Sequence, residues 1–234
     1  MATTISSGRA NSPLLTANIA DHGTIYGGRG LIFDGVTDYL DCGDISGIDG
    51  ASAFTFSAWA KPDATSGTQV VLSKYGSSST RIHMTIASNT MYLATSAGSD
   101  MQGSIAYTST DWAHLVVVFN GSGSGNANRL KFYINGEEQT LSYTGTIPAT
   151  LPDTSSSSFM IGRQATSYFD GKISDVKLFS TNLTEAQVQE LYLKPEQSAP
   201  SAVQDNLVAW YPMCEGNPDS PQSIVYDHSE KGLG

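Results

Sequence analysis

The chain has 234 residues and a formal net charge of −10, with 39% hydrophobic and 15% charged residues. An acidic balance without any Lys/Arg cluster excludes the basic footprint that duplex nucleic acid or a polybasic membrane attachment requires. No apolar run approaches the ~20 residues needed to span a bilayer, and abundant Gly, Ser and Thr predict many short strands joined by polar turns.

Residues 1–28 read as a polar arm without sustained periodicity, whose apolar footholds are Leu14-Leu15 and Ile25-Tyr26. Such an arm gains order from a neighbouring surface or subunit. It has no basic start followed by a continuous apolar stretch, so no secretory signal is expected. Gly27-Gly28-Arg29-Gly30 precedes a strand pattern, not a helix, which argues against a phosphate loop. The main domain is expected over 29–194. Leu31-Ile32-Phe33 and Tyr39-Leu40 flank Asp34-Gly35, which predicts a hairpin. In Ala53–Ala60 the residues alternate, placing Phe54, Phe56 and Ala58 on one side and Trp59 on the other.

Strands are also expected at Gln69–Tyr75, at Arg81–Ala87 and, beyond the Asn89 turn, at Met91–Leu93. The run from Ala113 to Phe119 is apolar on both sides and predicts a central, covered strand. Asn120–Asn128 (NGSGSGNAN) predicts a flexible loop, Leu130–Ile134 another strand, Asn135-Gly136 a type I′ turn, and Phe159–Arg163 a further strand. The stretch Phe169–Tyr192 then runs from a strand into one short helix. Thr184 stands three residues before Gln187 at capping-box spacing, Leu183 and Val188 occupy the staple positions, and Pro195 stops the helix. A linker at 195–205 leads to an extra strand segment, 206–234.

Several phrases carry a resemblance. Phe33–Leu40 (FDGVTDYL), the strand ending at Lys61-Pro62, and the strand-plus-helix of Phe169–Tyr192 resemble the laminin-G-like, concanavalin A-like lectin–glucanase jelly-roll domains. The fold this implies is all-β, an antiparallel two-sheet sandwich with one short C-terminal helix. In that family a phrase such as Leu207–Pro212 (LVAWYP) normally opens the domain; here it follows the helix. Either it begins a second copy, or it supplies a strand the first domain lacks, in cis or from a neighbouring subunit. An isolated strand would expose unpaired backbone, which favours docking on a sheet edge.

Chemistry is sparse. A glycosidase on this sandwich needs two carboxylates about 5–10 Å apart. Glu137 and Glu138 are adjacent and so diverge, while Glu185 and Glu190 belong to the helix. The histidines 22, 83, 114 and 228 have no ligand spacing, and His114 reads as a structural imidazole. No G-x-S-x-G elbow is present. Cys42 and Cys214 either pair or remain two buried thiols. In Lys172–Phe179 strict alternation sets Ile173 against Val176 and Leu178. A bulge at Ser174-Asp175 restores the packing; otherwise Asp175 is a partly buried carboxylate held by backbone donors or calcium. Related jelly rolls often carry calcium, and Asp34 and Asp38 could add oxygens, although a carboxylate at an Asp-Gly turn ordinarily caps that turn. Tyr75, Tyr107, Tyr168 and Phe169 stand beside loops, where aromatic rings could stack on sugars.

The expectation from these features is a non-enzymatic structural protein of a virion, such as a bacteriophage decoration, tail or fibre-associated component. It would assemble in the host cytoplasm as a homo-oligomer with other virion subunits and possess surfaces for cell-surface glycans. The alternative is a carbohydrate-binding module or adhesin fragment in an extracellular setting.

Overall fold

The computed structural model of the chain describes residues 30–77, 80–96, 100–155, 157–195, 197–213 and 225–229. Two seven-stranded sheets face each other, with every pairing antiparallel. In sheet one the order is β1 (Leu31–Asp34), β15 (Asp170–Phe179), β3 (Ala53–Pro62), β8 (Ala113–Asn120), β9 (Leu130–Ile134) and β10 (Glu137–Gln139), with β16 (Leu207–Tyr211) also on β15. Sheet two runs β11 (Ser142–Thr144), β7 (Asp100–Ala106), β6 (Thr90–Ser96), β5 (Thr80–Ala87), β4 (Thr68–Ser77), β12 (Phe159–Ile161) and β2 (Leu40–Asp41). A small ribbon of β13 (Arg163–Gln164) and β14 (Ser167–Tyr168) lies against β4. This is the expected all-β jelly-roll sandwich.

The alternation in sequence becomes the core. Phe54, Phe56 and Ala58 of β3 and Leu115, Val117 and Phe119 of β8 meet Ile82, Met84 and Ile86 of β5 between the sheets. The opposite faces of β3 and β8 are buried as well, because a third layer covers them. Helix α2 (Glu185–Leu193) packs Val188, Leu191 and Tyr192 there, and the following connection adds Ala199 and Val203. The helix starts as its sequence predicts. The Thr184 hydroxyl accepts from Gln187 N, the Gln187 amide oxygen accepts from Thr184 N at 2.8 Å, and Leu183 and Val188 share one buried cluster. Asn135 and Gly136 both have positive φ (53° and 81°), as a type I′ turn requires.

Two features depart from expectation, and a third selects among the alternatives left open. β1 and β2 do not form a hairpin; β1 pairs with β15 in sheet one and β2 with β12 in sheet two, so the Asp34-Gly35 turn carries the chain between sheets. Asn120–Asn128 is no loose loop. It leads into a short helix, α1 (Asn126–Arg129), tied to the 145–147 segment by the Asn126 side chain and by Arg129 Nη1, which donates to Ile147 O at 2.6 Å. Gly121 permits this, since a Cβ there would stand 1.7 Å from Ala149 O. Finally, β16 docks on its own chain's β15. Leu207 and Ala209 pair with Phe179 and Leu178, so β1 and β16 lie end to end along one edge. The arm at 1–28, with His22, lies outside the described residues, as does Cys214.

Candidate functional site

The outer face of sheet one is closed to ligands. Ser57 Oγ and His114 Nε2 stand 2.8 Å apart, a nucleophile–base distance, but both residues are 1% exposed, and the imidazole packs against Trp59 and Tyr192, which also stack on each other. No substrate reaches them, and the pair is structural. On the same face β15 is bulged, its register on β3 shifting between Ser174 and Lys177. The shift lets Ile173, Val176 and Leu178 all enter the inter-sheet core. Asp175, with φ of 48°, is 2% exposed; its Oδ1 accepts from Lys177 Nζ at 2.5 Å and from Trp210 Nε1 at 2.8 Å. The bulge and the buried carboxylate thus coexist, and the carboxylate's partners are a lysine and an indole.

The residues do not fit a calcium site. Asp175 is committed to Lys177 and Trp210. Asp34 Oδ1 accepts from the backbone N–H of Val36, Thr37 and Asp38, and Oδ2 from the Thr37 hydroxyl. Those amides, Thr37 N–H foremost, hold the Asp34 carboxyl well below the usual carboxylate range. Among the described residues no cluster of three or more His, Cys, Asp or Glu forms.

Among the described residues no helix lies on the outer face of sheet two, yet the centre of this face is buried: Ser73, Thr85 and Ala94 are each 1% exposed and His83 7%. Its register places Asp41, Met160, Ser73, His83, Ala94, Gln102 and Thr144 in one row across all seven strands. Flanking rows contain Tyr75 with Arg81, and Thr85 with Tyr92 and Ser104. His83 packs edge-on against Tyr92, with Nδ1 3.0 Å from Thr85 Oγ1. At the β2–β12–β4 end the ribbon β13–β14 folds onto this face, anchored by Ser73 Oγ donating to Arg163 O at 2.6 Å. There the Arg163 guanidinium lies 4.4 Å from the ring centroid of Tyr39 and 5.5 Å from that of Tyr168. Gly162 makes the exit from β12 possible. Its φ is 84°, and a Cβ would meet the Phe33 ring at 2.6 Å. Tyr39 and Tyr75, 42% and 38% exposed, stand two strands and four residues apart, roughly 16 Å by ordinary sheet spacings. The two exposed aromatics and the half-buried guanidinium at this end of the sheet can stack and hydrogen-bond a saccharide.

The four aromatics singled out from sequence divide evenly. Tyr75 and Tyr168 lie at this face, while Tyr107 and Phe169 are buried in the core, and burial pushes the Tyr107 hydroxyl up to about 12. Tyr39 and Arg163 were not foreseen; the signal was Gly162, which splits the strand expected over Phe159–Arg163. No pair of acids converges here. Among the described side chains Asp41, on β2, is the acidic strand position on this face. Glu138 pairs with Lys131, and Glu190 with Lys194. His228 is exposed and edge-on to Trp210. Cys42 is buried, which pushes its thiol up to about 12.

A helix-backed sandwich with one polar sheet face left open defines a lectin-like jelly-roll domain. The family model described as the concanavalin A-like lectin/glucanases superfamily matches residues 34–189, and the chain belongs to that family. No curated protein matches the chain. Among solved structures, a "putative carbohydrate binding protein" from Bacteroides ovatus is similar with a TM-score of 0.59 at 17% identity, over 86% of this chain and 56% of that one. The CBM40 of Ruminococcus gnavus IT-sialidase, bound to α2,3-sialyllactose, gives 0.56 at 14% identity over 70% of this chain and 96% of that one. The binding domain of botulinum neurotoxin DC, in complex with rat synaptotagmin II, gives 0.51 at 12% over 72% and 46%. The chain thus spans little more than half of the first protein and less than half of the last. At these identities the likeness is one of fold. No helix among the described residues is long and apolar enough to cross a membrane.

Proposed function

We propose that this chain is a non-enzymatic, lectin-like module that binds carbohydrate on the outer face of sheet two. The observation that supports this is the pairing of Arg163 with the rings of exposed Tyr39 and half-buried Tyr168, with exposed Tyr75 further along the same sheet face. The acidic side chains offer no acid–base pair beside it. The solved neighbours titled as carbohydrate-binding, of the same fold, agree with this reading. A glycan array with the purified chain tests it. Binding of a defined saccharide, weakened tenfold or more by Tyr75→Ala or Tyr39→Ala with unchanged Tm, is the expected result. Absence of binding to any glycan, or binding that ignores both substitutions, would refute it.

A finer reading makes the chain a virion component, a bacteriophage decoration, tail or fibre-associated protein that shows this face to host glycans. It is favoured by the composite edge of sheet one, where a C-terminal strand closes β15 beside β1, a joint equally suited to neighbouring copies. Purified particles and light scattering separate the two. A monomer absent from particles that still binds sugar leaves the free or extracellular module.

A further inference from the structure

We infer that Arg163 is a carboxylate subsite, so that the ligand class of this face is an acidic saccharide carrying a uronic or sialic acid. The inference rests on the carbohydrate-binding reading above and sharpens it. Arg163 is half-buried, and its guanidinium is held against two tyrosine rings. Its Nε donates to Ala165 O at 3.0 Å, across the turn of its own ribbon, which fixes the plane of the fork. That bond uses one of five N–H donors, and among the described residues no carboxylate pairs with the group. Four of the chain's seven lysines, Lys74, Lys131, Lys177 and Lys194, are by contrast paired with an acid.

A guanidinium that packs on aromatic rings and whose Nη donors pair with no carboxylate among the described residues is prepared for bidentate contact with a planar carboxylate. The rings hold the cation without neutralising it, since cation–π contact leaves the in-plane donors available. In a chain of net charge −10, a long-range field would repel an anionic sugar, so recognition must come from a local, pre-oriented cation. Tyr39, against the guanidinium, then stacks a sugar next to the charged one, and Tyr75, roughly 16 Å from Tyr39, stacks one further along the face.

The test measures affinity, by calorimetry, for sialyllactose and for an oligogalacturonide, each beside its carboxyl methyl ester, and for neutral oligosaccharides. At least tenfold preference for one free acid over its ester is expected, with the sialic and uronic arms naming the source. Arg163→Met should reduce the acid to the level of the ester, and Arg163→Lys, a point charge without the fork, should restore part of the difference. Tyr75→Ala should weaken acid and ester alike and preserve their ratio, a check that survives even if Arg163→Met unfolds the ribbon. Equal binding of acid and ester, or a preference that survives Arg163→Met, overturns the inference while leaving carbohydrate binding intact. No binding to any saccharide overturns both.

Discussion

Leu31 and Tyr211 lie in line along one edge of β15, Leu31 opposite Ile173 and Tyr211 opposite Val176. Both strands run antiparallel to β15, so the C-terminal strand leads directly toward the start of β1. The LVAWYP strand thus occupies the place of a strand leading into β1, although in the chain it follows the helix. Truncation after Asn206 should therefore unfasten half an edge. Loss of the buried Leu207, Ala209 and Tyr211 should cost roughly 4 kcal/mol or more. The bared edge of residues 176–179 should drive association. Calorimetry and light scattering at two concentrations check this, and an unchanged Tm with a monomeric truncation would contradict it.

Between those two strands sits the bulge with Asp175. Asp175→Ala leaves the Lys177 ammonium buried without its carboxylate and removes the acceptor of Trp210 Nε1. Breaking a buried pair from one side costs about 3–5 kcal/mol. The variant should melt far below the wild type in urea or by heat. Since Asp34 and Asp175 are occupied by protein donors, the wild-type Tm should be the same in calcium and in EDTA. A calcium-dependent rise would show that the site has been misassigned.

The sandwich was legible because its signals are local. Alternation in Ala53–Ala60, the double-sided apolar run of β8, and the capping box at Thr184 each act within a few residues, and each appears where expected. What escaped depends on partners far away in sequence. Asp34-Gly35 has the chemistry of a hairpin turn, yet whether the flanking strands pair with each other is decided by β15 and β12, more than a hundred residues later. Tyr107 and Phe169 resemble loop aromatics until the opposing sheet buries them. Arg163 joins Tyr39 across 124 residues, and no periodicity announces such a contact.

Gly162 is the pivot that sets the candidate site. Gly162→Ala adds a Cβ 2.6 Å from the Phe33 ring at a φ that side chains avoid. Destabilisation of about 1–3 kcal/mol is expected. The larger effect should be on binding, since the displaced ribbon takes Arg163 and Tyr168 away from Tyr39. A variant that remains folded by circular dichroism but loses saccharide affinity is the expected outcome. Retained affinity would place the site elsewhere on the sheet.

Asp34 gives the turn between the sheets a pH dependence of definite sign. Three backbone amides and the Thr37 hydroxyl favour its ionised form in the folded chain, lowering its pKa below the unfolded value of about 4. The unfolded chain therefore binds the proton more readily. The stabilisation is complete above the ordinary carboxylate range and is lost as pH falls through the depressed folded value. Asp34→Asn keeps the side-chain shape and an acceptor oxygen but removes the charge. At pH 7 the wild type should melt above the variant. The gap should stay constant from pH 5 to pH 8, and the two curves should converge as the buffer is taken from pH 5 down through the acid range. A gap in Tm that stays constant down to pH 2 would mean that the amide serves this turn through shape alone and that the charge contributes nothing.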